Sequence, residues 1–166
     1  MSESIIIDWS KYNFDTTTTF SLKGTECYAR VVNIHDGDTI TVIIPLFDTN
    51  KFYKFSVRLS GIDTCEISST TEENKILAIN AKNKLIELVT SNNNTDIIKL
   101  YLQNNIALVY LKCLDFDKYG RLLATIYKNK NDEISFSDIL IKEKLGYCYT
   151  GKKKLTELEQ VELLKK

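Results

Sequence analysis

One proline, one histidine, one methionine and one tryptophan in 166 residues are scarcities that each exclude something. Cys27, Cys65, Cys113 and Cys148 stand at wide, irregular spacings with no Cys-x-x-Cys pair. With a single histidine beside them, a zinc site lacks clustered ligands. The spacings leave disulfides open, and reduced thiols are the expectation in a cytosolic setting. Charge of one sign is also missing, since Lys plus Arg and Asp plus Glu each total 22. Tight, static gripping of nucleic acid is driven by phosphate neutralisation and draws on a basic surplus. Neutrality speaks against it, but not against an enzyme that touches a few phosphates. No apolar run approaches the roughly 20 residues of a membrane span. The first eight residues have no basic start ahead of a very short apolar run, so no signal peptide is expected on the chain as given. The expectation is an intracellular (cytoplasmic) monomer without membrane contact.

What is present suffices for one ordinary domain with one core: 43% of residues are apolar and 27% charged. Residues 1–25 read as an N-terminal extension whose Trp9, Tyr12, Phe14 and Phe20 are expected to pack on the domain, with Gly24 as a turn. The domain itself is expected to span 26–166. Residues 26–34 are β-rich, and Asp36-Gly37 is a strong hairpin signal with residues 39–44 returning. Pro45 is expected to stop that strand, and a loop with Asp48-Thr49-Asn50 follows. Phe55, Val57 and Leu59 then alternate with Lys54, Ser56 and Arg58, the period of a half-buried strand. Ser68 to Glu73 reads as a capping box ahead of a helix faced by Leu77, Ala81, Leu85 and Leu88. Residues 97–102 fit either a strand or a short helix. Strands resume at 106–114 and 122–127, making five. Ser135 or Ser137 should cap a second helix that Gly146 stops. After the basic run Gly151-Lys152-Lys153-Lys154, Leu155, Leu158, Val161 and Leu164 form the apolar seam of a C-terminal helix.

The chemistry-bearing residues cluster where strands should turn. Asp38 and Asp63 are candidate ligands for a hard divalent cation such as calcium or magnesium, which wants oxygen donors. His35 beside them reads as a surface or packing residue, since such a cation prefers oxygen. Arg58, five residues before Asp63, has the planar fork that binds phosphate through two hydrogen bonds. Glu66 is close enough to Asp63 to orient or deprotonate a water. Arg121 follows a tight turn at Gly120. Each of these residues alone has an ordinary structural reading: a hairpin, a solvated arginine, a surface acid.

Taken together, Asp36-Gly37-Asp38-Thr39, Arg58-Leu59-Ser60-Gly61-Ile62-Asp63-Thr64-Cys65-Glu66 and Asp117-Lys118-Tyr119-Gly120-Arg121 resemble the linked signatures of the staphylococcal nuclease (thermonuclease) family. Order, spacing and intervening strands agree over roughly residues 26 to 160. The resemblance implies an α+β fold: a five-stranded OB-type β-barrel with about three packed helices. It implies a calcium-dependent endonuclease that hydrolyses DNA or RNA with low sequence specificity and leaves 3′-phosphate ends. Asp38 and Asp63 would bind Ca2+ through their side chains and Thr64 through its carbonyl. Glu66 would act on the attacking water, and Arg58 and Arg121 would neutralise charge on the phosphate. Lys118 and Tyr119 match positions near a terminal phosphate, and Tyr147 or Tyr149 a position beside the base.

Two departures stand out. Cys65 replaces the family's proline, which should loosen the loop and expose a thiol beside the site to oxidation. The basic surplus of compact relatives is missing. A nuclease-like module retained for nucleic-acid binding or scaffolding is the competing reading, although such modules usually lose the acids and arginines that are intact here. An ordinary single-strand-binding OB-fold is a third; it would predict aromatics on a basic groove and no need for the acids.

Overall fold

β1 (Glu26–Ile34) sends Ala29, Val31 and Ile34 into the core, and the change from odd to even positions has a local cause. The pairing register of β1 slips between Val31 and Asn33, and this bulge turns Ile34 inward in place of Asn33. Ile40, Val42 and Ile44 of β2 (Thr39–Leu46) and Val57 and Leu59 of β3 (Lys51–Leu59) point the same way. The computed structural model describes residues 7–46, 51–92 and 97–165. The loop expected at residues 48–50 and part of the Asn-rich stretch at 93–96 lie outside them.

β5 (Ala107–Phe116) and β6 (Leu122–Tyr127) add Val109, Leu111, Leu122, Ala124 and Ile126 to this interior. The strands close into one barrel in the order β1-β2-β3-β6-β5. Neighbours run antiparallel except at the seam, where Val57, Arg58 and Leu59 of β3 pair in parallel with Leu122, Leu123 and Ala124 of β6. Each fully buried Ile or Leu contributes about 1.5–3 kcal/mol, so the interior of the barrel is the main source of stability. A separate two-stranded ladder joins β4 (Ile62–Asp63) to β7 (Tyr147–Cys148).

Four helices pack outside the barrel among the described residues, one more than expected: α1 (Glu72–Thr90), α2 (Ile98–Asn104), α3 (Phe136–Lys142) and α4 (Glu157–Leu164). The extra one is α2, which resolves residues 97–102 as helix and lies against β1. No helix among the described residues is long and apolar enough to cross a membrane.

Several local expectations need correction. Pro45 does not stop β2, which continues to Leu46; the pairing with β1 ends at Ile43, so the missing N–H falls where one side of the strand has no partner. The capping box before α1 does not form, because Thr71 is the N-cap and makes no side-chain cap bond; complete capping boxes occur instead at Ser135/Asp138 and Thr156/Glu159. The buried face of α1 is Asn74, Ala78, Ala81, Leu85, Ile86 and Val89, rotated from the expected stripe so that Leu77 and Leu88 sit at its margin. Gly146 does not end α3; the helix stops at Lys142, and the chain turns through Lys144 at φ 58°. In α4, Leu158 is exposed and Gln160 is buried in its stead. Of the N-terminal aromatics, Trp9, Tyr12 and Phe14 are exposed, whereas Phe20, though also largely exposed, packs its ring against Phe116 at 6.1 Å; among the described residues of that segment Leu22 enters the core.

Candidate active site

Asp38, Arg58 and Asp63 converge because of register. Thr39 pairs with Arg58 across β2 and β3, and the Leu59 N–H donates to the Asp38 carbonyl at 2.8 Å, so Asp38 must lie beside Arg58. The chain then reverses through Gly61, at φ 78°, and β4 brings Asp63 back to the same guanidinium. Arg58 reaches Asp38 Oδ2 and Asp63 Oδ1, each at 2.6 Å, and donates to the Ile62 carbonyl at 3.2 Å. All three residues are buried. Burial works against the charge on Arg58, but the two carboxylates outweigh it and hold the guanidinium above its ordinary value. Burial pushes Asp38 up to about 7 against the opposing pull of Arg58.

The turn around Asp38 is braced from both sides. Asp36 Oδ1 accepts the Asp38 N–H at 3.1 Å, and the Thr39 hydroxyl donates to Asp38 Oδ1 at 2.8 Å. Gly37 is needed for space: a Cβ there would lie 2.6 Å from the Ala81 Cβ of α1 and 2.9 Å from Thr64 Oγ1. That close approach seats the hairpin against α1 and the buried Thr64.

Asp63 has a further set of partners from the end of the chain. The Tyr147 hydroxyl donates to Asp63 Oδ2 at 2.5 Å, and Lys154 Nζ lies 3.0 Å from Oδ1. Lys154 also meets Glu66 Oε1 at 2.9 Å, on the exposed side of the cluster. Hydrogen bonds to Glu66 and Asp63 outweigh the desolvation of Lys154 and hold its ammonium above the usual lysine range. Burial, with the bond to Asp63, pushes the Tyr147 hydroxyl up to about 12. Tyr147 is itself held by the Leu155 N–H at 3.3 Å and the Gln160 amide at 3.5 Å, which explains why Gln160 faces inward. Gly146 permits this approach, since a Cβ there would lie 2.6 Å from Ile62 Cδ1.

The third motif stands at the seam between β3 and β6. Asp117 organises it by accepting the N–H groups of Tyr119 and Arg121, each at 2.9 Å, and Arg121 Nε at 2.8 Å. These bonds outweigh burial and lower the Asp117 carboxyl below its usual range. The exposed Tyr119 ring sits under both Arg121, at 5.6 Å, and Lys118, at 5.0 Å.

Arg58, Arg121, Lys118, Tyr119, Tyr149 and Lys154 all line one cavity of about 750 Å³. Asp38, Asp63 and Glu66 do not line it; Arg58 and Lys154, which do, are in contact with them. Of the two candidate stacking tyrosines, Tyr147 is buried with its hydroxyl on Asp63, so the expectation narrows to Tyr149, which lines the cavity under Arg58 at 5.7 Å. A separate hollow of about 720 Å³ beside α1 and α3 is lined by Glu87, Asp132 and Glu133 with Lys128. Three acids to one cation make that hollow a poor bed for phosphate.

The expected oxidation-sensitive thiol is corrected. Cys65 is buried, and burial pushes its thiol up to about 11, so it is shielded and protonated. Cys148 is the exposed cysteine, and all four are free thiols.

Asp117, Lys154, Gln160 and Gly146 escape the motif reading. Asp117 lies inside a motif but its turn bonds appear only in three dimensions, whereas Lys154 reads simply as part of a basic run.

A closed five-stranded barrel with external helices, and with acids and arginines meeting at one seam, defines an α+β domain of the OB type. The staphylococcal nuclease homologue family model matches residues 56–166, and the chain belongs to that family, as a nuclease-like domain. The match begins in β3; β1 and β2, which complete the barrel and carry Asp38, lie before it. No match was found among curated proteins.

Proposed function

We propose that this chain is a calcium-dependent phosphodiesterase that hydrolyses DNA or RNA with low sequence specificity and leaves 3′-phosphate ends. The observation that carries this reading is that Arg58 and Arg121 line one cavity while Arg58 also binds Asp38 and Asp63 directly. Phosphoryl chemistry needs cations where negative charge grows and a placed water. Arg58 and Arg121 border the space where the phosphate would lie, and they neutralise it. Glu66, on the exposed side of the cluster, orients or deprotonates the water. Tyr149 offers its ring to a base, and Lys118 with Tyr119 receives a terminal phosphate at the mouth.

The calcium reading has a fit of its own. Among the described residues no three His, Cys, Asp or Glu side chains close round a metal ion by themselves. Asp38, Asp63 and the Thr64 carbonyl would nonetheless supply an all-oxygen donor set, which suits a hard cation that completes its shell with water. Asp38 and Asp63 are both buried, and Arg58 joins them directly. Bound calcium would supply Lewis-acid polarisation of the phosphate.

A second reading has its own observation. Every oxygen of Asp63 already meets a donor, and Glu66 is paired with Lys154, as in a nuclease-like module that binds without cutting. End-labelled DNA and RNA incubated with calcium separate the two. Cleavage to 3′-phosphate ends that stops on chelation is the expected result. Retention on a gel without cleavage at millimolar calcium would transfer the assignment to the binding module.

A further inference from the structure

Among the described residues, Arg58 and Lys154 are the cations that both touch the acid cluster and line the cavity. They differ in how firmly they are held. The Arg58 side chain is 8% exposed and shared by two buried carboxylates, whereas the Lys154 side chain is 44% exposed. Lys154 comes from the stretch between β7 and α4, which is fixed at both ends. The Tyr149 hydroxyl donates to the Lys152 carbonyl at 2.7 Å, and the Leu155 N–H donates to the Tyr147 hydroxyl at 3.3 Å. The ammonium is therefore delivered to the acids by an anchored loop.

Its position matters for any other cation. An ammonium about 3 Å from oxygens of two different carboxylates uses the lone pairs that a hard metal ion would need. Asp63 Oδ1 meets Arg58 and Lys154 together, and Oδ2 accepts the Tyr147 hydroxyl. A divalent ion beside Asp63 would also face a like charge at close range. The partner with least to lose is the exposed, loop-borne one.

We propose that Lys154 is a tethered counter-cation that closes Asp63 and Glu66 in the metal-free protein, and that calcium binds by displacing it. This rests on the calcium reading above and adds to it a built-in competitor that weakens calcium affinity. Calorimetric titration of calcium into the wild type, Lys154→Gln and Lys154→Arg tests it. Because the pair is partly exposed, Lys154→Gln is expected to bind calcium about tenfold more tightly, and Lys154→Arg within about twofold of wild type. On the wild type, an amine-reactive label read by mass spectrometry should modify Lys154 faster with calcium than without it. That measurement needs no variant. Calcium affinity unchanged or weakened in Lys154→Gln, or labelling of Lys154 indifferent to calcium, overturns the proposal and leaves the nuclease assignment standing. If no form of the protein binds calcium, the calcium reading falls and the tethered cation falls with it.

Discussion

Arg58 and Arg121 carry the same side chain in opposite circumstances. Arg58 is buried between two carboxylates, while Arg121 is half-buried and leans on Asp117 and the Tyr119 ring. Replacing either with alanine should lower kcat by about 10²–10³-fold, the usual worth of one donor to transition-state charge. Stability separates them. Arg58→Ala strands the buried Asp38 and takes one of two cations from Asp63, and should cost about 3–5 kcal/mol, whereas Arg121→Ala should cost less than about 1 kcal/mol. Urea unfolding and single-turnover cleavage measure both, and activity within a few-fold of wild type removes that arginine from the mechanism. Tyr110 gives a test far from the site. Its hydroxyl donates to Glu26 at 2.8 Å, and that bond, with burial, pushes it up to about 12. The folded value lies above the unfolded one, near about 10, so the contribution is whole below about pH 10 and lost as pH rises through about 12. Tyr110→Phe has no such contribution to lose. Its urea midpoint should fall less than that of the wild type across this window, and equal falls would refute the assignment.

At the scale of elements, the small β4–β7 ladder matters more than its four paired residues suggest, because it carries Asp63 and Tyr147 to each other. Gly146 is what lets it close. Gly146→Ala drives a Cβ against Ile62 and the Asp63 carbonyl and should cost about 1–3 kcal/mol by overpacking. Gly61→Ala meets open space and carries only the strain of φ 78°, roughly 1–2 kcal/mol. Cleavage should fall further in Gly146→Ala than in Gly61→Ala; the reverse order would show that the ladder does not position the site. The barrel strands are legible in sequence because Phe55, Val57 and Leu59, or Ile40, Val42 and Ile44, alternate against a single interior. The helix faces are less so. Nothing within α4 says that Gln160 should be buried and Leu158 exposed; the reason is Tyr147, whose hydroxyl Gln160 approaches. For the same reason Gly146 reads as a helix stop when its task is close packing on Ile62.

At the scale of the whole molecule, the motifs are legible one by one, and their meeting follows from two registers: Thr39 opposite Arg58, and Leu122 beside Val57. Lys154 is not legible this way, because a lysine in a basic loop shows no destination until the fold delivers it to Asp63. Net charge acts at this scale too. With 22 cationic and 22 anionic side chains there is no overall basic surplus, and under the proposed assignment grip on nucleic acid rests on the few cations around the cavity, such as Lys118, Arg121 and Lys152. The log of the DNA-binding constant should therefore fall with log salt at a slope of only about −2 to −3, measured in chelator so that nothing is cut. A slope twice as steep would reveal a phosphate track beyond this cavity.

The parallel seam between β3 and β6, together with the reach of Tyr147 and Lys154 back to Asp63, has a consequence for synthesis of the chain. All three motifs have been made by residue 121, but Asp63 gains its last two partners only when residues 147 and 154 have emerged. A nascent or truncated chain thus carries the complete signature without the assembled centre. Under the proposed assignment, cleavage would report a chain made at least through Tyr147 and the β4–β7 ladder.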